Sequence, residues 1–199
     1  LYFNADSLPN KMIELRNRIR CMEVEPDGIA ATEVKPKNSR FALQTADFII
    51  EGYSAFTTID ENGRGIIIWI HTTLNAALFN TRVKFRESLG VDISFREKKH
   101  LLCGCLYRSP NSDPENNELL NELMRETGTT HFSHLLVMGD FNYGTVNWEL
   151  HSSPDSKAQR FVESCEDAFL HQHIRQATRG RLGQQSNILD LIFSNEEEM

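Results

Sequence analysis

Asp140 and Asn142 stand two residues apart, just past the apolar run Leu135-Leu136-Val137-Met138. The run reads as a buried strand. Side chains two apart on a strand point to the same face. The strand is therefore expected to deliver one carboxylate and one carboxamide together at its C-terminal end, where backbone pairing stops. Such a pair predicts a polar, metal-assisted site at the edge of a β-rich core. Other expected strand ends carry polar groups too: Asn4 after Leu1-Tyr2-Phe3, Glu33 after Ile29-Ala30-Ala31-Thr32, and Tyr107 in Tyr107-Arg108-Ser109-Pro110-Asn111. Asp190 is the sharpest of them. A carboxylate among Ile188, Leu189, Leu191, Ile192 and Phe193 is costly to bury unless a partner or a metal holds it.

The elements that must position these groups follow from periodicity. Pro9 opens a helix with Met12, Leu15, Ile19 and Met22 at helical spacing. The stretch from Phe48 to Ile59 is β-like, Asn62-Gly63 signals a hairpin, and Ile66 to Ile70 is a buried strand. Strands are expected near Leu89 to Phe95 and His100 to Tyr107, with the charged Arg96 to Lys99 as the tip between them. Cys103 and Cys105 alternate in the second of these and should share a face as buried, reduced thiols. Asp113 caps a helix that has Pro114 at its first position, with Leu119, Leu120 and Leu123 inward. A further helix is expected from Asp155 to about Ile174, with Phe161, Cys165 and Phe169 on one face. Ile188 to Phe193 is the last strand, and Glu196 to Glu198 a solvated loop. Strands mixed with a few helices, without βαβ alternation, indicate α+β layers rather than a doubly wound sheet.

Composition narrows the function. The 199 residues carry a net charge of −7, so the chain as a whole is no generic polyanion binder. Affinity for nucleic acid would have to come from a local basic patch or from bound cations. Basic residues cluster at Arg16, Arg18 and Arg20, at Lys35, Lys37 and Arg40, and at Arg175, Arg179 and Arg181. No apolar run approaches the ~20 residues of a membrane helix, and no signal peptide is evident. An intracellular protein, nuclear or cytoplasmic, is expected.

The polar strand ends and their flanks occur in a telling order. The segments are Tyr2-Phe3-Asn4-Ala5-Asp6-Ser7-Leu8, Ile29-Ala30-Ala31-Thr32-Glu33, Gly63-Arg64-Gly65-Ile66-Ile67-Ile68 and Leu106-Tyr107-Arg108-Ser109-Pro110. They continue with Met138-Gly139-Asp140-Phe141-Asn142, Val146-Asn147-Trp148, Ala177-Thr178-Arg179-Gly180 and Leu189-Asp190-Leu191-Ile192-Phe193-Ser194. Over nearly the whole chain this resembles the endonuclease/exonuclease/phosphatase superfamily, the fold of deoxyribonuclease I and of apurinic/apyrimidinic endonucleases. More closely, it resembles the endonuclease domain that precedes reverse transcriptase in Jockey-like non-LTR retrotransposons.

The resemblance implies a four-layer α/β/β/α sandwich, here one domain over residues 1–199 that lacks its last C-terminal strand. It implies Mg2+ (or Mn2+) as cofactor and double-stranded DNA as partner, with a reverse transcriptase domain in the same parent polypeptide. Glu33 would be the principal metal ligand and Asn4 would sit beside the metal. Asp140 would orient or deprotonate the attacking water, Asn142 would fix that water and the phosphate, and Tyr107 would donate to a phosphate oxygen. Thr178 would contact the DNA backbone with Arg179 nearby, and Asn111 would add a substrate contact.

The chain also departs from the pattern. The superfamily has a histidine in a C-terminal Ser-Asp-His segment, partnered by the residue at Asp190, yet none of the seven histidines follows Asp190. A truncated fragment, weakly active or inactive, is therefore expected, with an exposed sheet edge. Asp6 stands where the family usually has arginine. Two other readings stay open: a non-catalytic binding module of this fold, and a phosphatase or phosphodiesterase acting on lipid or nucleotide phosphates.

Overall fold

Two mixed β-sheets lie face to face in the computed structural model, which describes residues 1–38, 42–59, 63–180 and 186–198. The first contains β1 (Tyr2–Asn4), β2 (Gly28–Thr32), β3 (Tyr53–Thr58) and β4 (Ile66–His71), in the order β1-β2-β4-β3. The second contains β5 (Asn75–Phe79), β6 (Ser88–Ser94), β7 (His100–Tyr107), β8 (His134–Asp140), β9 (His171–Gln172) and β10 (Asp190–Ser194). Its order is β5-β6-β7-β8-β10-β9. The pairs β1/β2 and β7/β8 are parallel, and the other pairings are antiparallel.

Strand alternation sorts side chains into three cores. Ala30, Ile66, Ile68 and Ile70 of the first sheet meet Val91, Cys103, Cys105 and Met138 of the second in a middle core. Ile29, Ala31, Ile67 and Trp69 point the other way, onto Met12, Leu15 and Ile19 of α1 (Met12–Arg20). Leu102, Leu106, Leu135 and Val137 pack outward against α2 (Pro114–Gly128) and α3 (Ser156–Asp167). The result is the expected four-layer α+β sandwich. Cys103 and Cys105 are buried in the middle core, and burial pushes both thiols up in pKa.

Local signals explain several boundaries. Asp113 accepts from Asn116 N and Pro114 follows it, so α2 begins where capping chemistry puts it. Pro9–Lys11 forms a 3-10 turn, and the α-helix starts only at Met12. It ends at Arg20, which leaves Met22 outside it.

Further expectations are corrected. Thr45–Phe48 is a 3-10 turn closed by reciprocal Gln44–Asp47 bonds, so strand β3 starts at Tyr53 rather than Phe48. Helix α3 ends at Asp167, because the backbone turns left-handed at Phe169 (φ 54°). That turn leaves Phe169 82% exposed instead of packed and frees His171–Gln172 to pair with β10. The last strand opens at Asp190, and Ile188 precedes it. The edge strand β5 has no counterpart among the expected strands, since Asn75–Phe79 buries little and alternates weakly. Of the Asn62-Gly63 hairpin, Asn62 lies outside the described residues, but Thr58 pairs with Ile66 across that connection. Arg40 and Arg181 also lie outside the described residues.

Candidate active site

One end of the middle core turns polar strand by strand. Tyr2, Ala30, Cys105, Met138 and Ile192 all face the opposite sheet. Two residues farther along the same face stand Asn4, Thr32, Tyr107, Asp140 and, at the start of antiparallel β10, Asp190. Sheet register sets these groups side by side: Asn4 is opposite Thr32, while Tyr107 and Asp190 flank Asp140. Gly139 permits this close pairing, because a Cβ there would lie 2.0 Å from the Leu106 carbonyl oxygen. The next residue on β2, Glu33, leaves the strand with a left-handed backbone (φ 51°).

The amide of Asn4 joins the sheets. Its Nδ2 donates to Glu33 Oε1 and to Asp140 Oδ2, both at 2.8 Å. Two guanidiniums close the group. Arg64 Nη2 lies 2.8 Å from Glu33 Oε2. Arg179 Nη2 donates to Asp140 Oδ2 at 2.8 Å and lies 3.7 Å from Glu33 Oε1. Asp140 is fully buried, and burial lifts its carboxyl from 3.8 to about 6. The Asp190 and Glu33 charges add to this rise, whereas Arg179 and Asn4 oppose it. Burial, with the Glu33 and Asp140 charges, drives the Tyr107 phenol far above its ordinary value. Tyr107 therefore keeps its proton at neutral pH and can donate it in a hydrogen bond.

The other sequence-derived residues divide. Asp190 is half-buried, and Tyr2 OH donates to its Oδ1 at 3.0 Å. Tyr2 is thus the partner that an acid in an apolar strand needs. Thr178 Oγ1 accepts from the Leu189 and Asp190 backbone N–H groups, each at 3.0 Å, so it fixes the entry to β10. Asn142 does not leave the strand alongside Asp140. Strand β8 ends at Asp140, Asn142 is left-handed (φ 52°), and its Nδ2 donates to the Arg108 carbonyl at 2.8 Å. It lines a neighbouring polar cleft of about 470 Å³ together with Asn111, Tyr143 and Lys157. Asn111 is exposed there, apart from the carboxylates. Asp6 turns outward and its carboxylate accepts from Arg64 Nη2 at 3.2 Å, which holds its pKa below the usual value.

Arg64 and Arg108 had no assigned role. Arg108 is buried and structural: Nε donates to Asn117 Oδ1 at 2.7 Å and the guanidinium lies over the Tyr143 ring. The signal for Arg64 was its place in Gly63-Arg64-Gly65, just before a buried strand.

The donor set fits a divalent ion. Among the described residues no group of three or more His, Cys, Asp or Glu side chains gathers. Mg2+, however, uses one or two carboxylates and keeps waters and substrate oxygens as its other ligands. Glu33 and Asp140 provide that pair; the expected place of Asn4 beside the metal is corrected, since its Nδ2 faces the two acids while its Oδ1 accepts from the Asp6 backbone N–H. The buried Asp140 Oδ1 has no hydrogen-bond partner among the described residues, a cost that a cation or its bound water would relieve.

A two-sheet sandwich with paired acids, an amide and a tyrosine at one end defines the class. It is the deoxyribonuclease I-like fold of nucleases and phosphatases. Residues 101–199 match the endonuclease-reverse transcriptase family model. The endonuclease domain of TRAS1, a telomere-specific non-LTR retrotransposon, is similar in structure with TM-score 0.67 at 14% identity, over 96% of this chain and 82% of that one. The AP endonuclease LMAP from Leishmania major gives 0.68 at 14% identity, over 98% and 78%. The 3′ phosphatase NExo from Neisseria, bound to product DNA hairpin, gives 0.65 at 15% identity, over 97% and 84%. No curated protein matches the sequence.

Proposed function

We propose that this chain hydrolyses phosphodiester bonds with Mg2+ (or Mn2+) and that it nicks double-stranded DNA. The 3′ hydroxyl so formed would prime a reverse transcriptase domain in the same parent polypeptide, inside the cell. The observation that carries the reading is the bridge by Asn4 Nδ2 between Glu33 on one sheet and Asp140 on the other. Two buried acids held within reach of one amide make a poor packing solution and a good cation site. The family match over residues 101–199 and the likeness to a retrotransposon endonuclease domain favour DNA over lipid or nucleotide phosphates.

The chain's own residues divide the work. Asn4 fixes the spacing of the two carboxylates. Asp140, whose carboxyl burial lifts to about 6 in the metal-free chain, would orient the attacking water and accept its proton. Tyr107 donates to a phosphate oxygen as charge builds there. Asn142, anchored through its Nδ2, has its Oδ1 left to orient water or substrate at the cleft. Asp190, held by Tyr2, and Arg179 set the charge around Asp140. The divalent ion, when bound, stabilises the leaving 3′ oxygen. Arg175, Lys35 and Lys37 add phosphate contacts that position the duplex without reading its sequence.

Nicking of supercoiled plasmid tests the reading. Open circles should form with Mg2+ and not with EDTA, and Glu33→Gln or Asp140→Asn should each slow the reaction about 10²–10⁴-fold. Absence of Mg2+-dependent nicking would favour a binding module, and nicking indifferent to both substitutions would move the chemistry elsewhere.

A further inference from the structure

The two guanidiniums at the carboxylate pair are held in different ways. Arg64 is only 17% exposed. Its Nη2 also reaches Asp6 Oδ1 at 3.2 Å, and its Nε donates to the Lys35 carbonyl at 3.1 Å. The backbone of Arg179 is anchored by reciprocal bonds with Asn187 at 3.1 and 2.9 Å. Its side chain, by contrast, is 41% exposed and crosses to Asp140 Oδ2 and Glu33 Oε1. Those are the same two oxygens to which Asn4 Nδ2 donates. Arg179 therefore stands in the space that the two carboxylates share.

Occupancy limits how many cations the pair can hold. A divalent ion bound to Glu33 and Asp140 needs carboxylate oxygens that the two guanidiniums now face, Arg64 at Glu33 Oε2 and Arg179 at Asp140 Oδ2 and Glu33 Oε1. A guanidinium and a metal ion at the same oxygens repel each other. One cation has to give way. Arg64 would break bonds to three residues, Asp6, Glu33 and Lys35, on two segments. Arg179 would keep its backbone anchors and only swing a half-exposed side chain.

Resting on the divalent-ion reading above, we propose that Arg179 is a resident counter-cation which the metal displaces, and that its released guanidinium then binds the substrate phosphate. A guanidinium suits both stations, since its planar fork pairs with carboxylates and phosphates alike. The same side chain then couples the two binding events. Metal entry frees the phosphate-binding group, and by reciprocity phosphate binding favours metal entry.

Direct Mn2+ binding, read from the loss of the free-ion paramagnetic resonance signal, tests this on the 199-residue chain. Arg179→Gln should bind Mn2+ at least about tenfold more tightly than the unaltered chain, because a competing unit charge is gone. Arg179→Lys, which keeps the charge, should stay near the unaltered value. Duplex DNA affinity measured with Ca2+ and with EDTA supplies the second arm. Ca2+ should strengthen DNA binding by the unaltered chain several-fold more than by Arg179→Gln. Glu33→Gln separates two kinds of failure. If Glu33→Gln loses Mn2+ while Arg179→Gln matches the unaltered chain, the displacement is wrong and the metal site stands. If neither the unaltered chain nor Arg179→Gln takes up Mn2+, both fall. Equal Ca2+ enhancement of DNA binding in the two chains would overturn the delivery to phosphate.

Discussion

The two ends of the middle core are built from the same strands yet finish in opposite chemistry. At the end where β7 and β8 begin, an apolar cavity of about 350 Å³ is lined by Ile68, Ile70, Ile93, Leu101, Cys103 and Met138. At the end where they stop, the same face carries Tyr107 and Asp140, with Asn4 and Glu33 opposite. Period-two alternation is common to both. What differs is the residue type placed at the last one or two steps. The apolar end shows what holds the sheets together, and the polar end what the fold gives up for chemistry, since Asp140 is ionised at neutral pH only against the pull of burial.

The contrast breaks if the apolar end proves dispensable. Ile68→Ala should cost about 2–5 kcal/mol in urea unfolding, because it empties a fully buried position between the sheets. A loss below about 1 kcal/mol would mean that the core does not depend on that contact.

The opposite sign is expected at the polar end. The folded chain binds the Asp140 proton more tightly than the unfolded chain, whose carboxyl has the ordinary value of 3.8, against about 6 when folded. Folding therefore takes up a proton between those values. The stabilising contribution is fully present below about pH 4 and is lost as pH rises through 6. Asp140→Asn, neutral at every pH, should thus stabilise the fold at pH 7 by ~2–3 kcal/mol, while it slows nicking about 10²–10⁴-fold. Its advantage should fade as unfolding is measured nearer pH 4. A destabilised Asp140→Asn would show that Asn4 and Arg179 more than offset the burial cost.

The smallest effect sharpens the comparison at the boundary between the ends. Tyr2 begins in the core and finishes with its hydroxyl between Thr32 and Asp190, at 3.0 Å from each. Tyr2→Phe keeps the ring and removes the donor. Thermal unfolding should register about 1–2 kcal/mol, with any loss of nicking smaller than that from Glu33→Gln.

Much of this was legible in the residues, for reasons that are local. Met138 followed by Gly139 and Asp140 announces a strand delivering an acid, because burial pattern and side-chain period are properties of one segment. Asp113 and Pro114 announce a helix start in the same way. The failures are equally specific. Phe169 fits the inner face of a helix by spacing, but the chain turns left-handed there and the residue ends in solvent. Asn142 fits the face of Asp140 by alternation, but its strand has already ended. Neither turn is visible in a spacing rule, because Phe169 precedes the pairing of His171–Gln172 with β10 and Asn142 is held by the Arg108 carbonyl of another segment.

The layers and the polar ends of the strands were readable from the residues, since periodicity is carried by neighbours along the chain. Tertiary structure alone decided which polar ends meet. Asn4 and Asp140 lie 136 positions apart and Tyr2 and Asp190 lie 188 apart. Only the stacking of two sheets brings them to hydrogen-bonding distance. Tertiary structure also decided the charge state of the site. The pKa of Asp140 and the counter-cation position of Arg179 follow from burial and from groups on other strands, and no local segment encodes either.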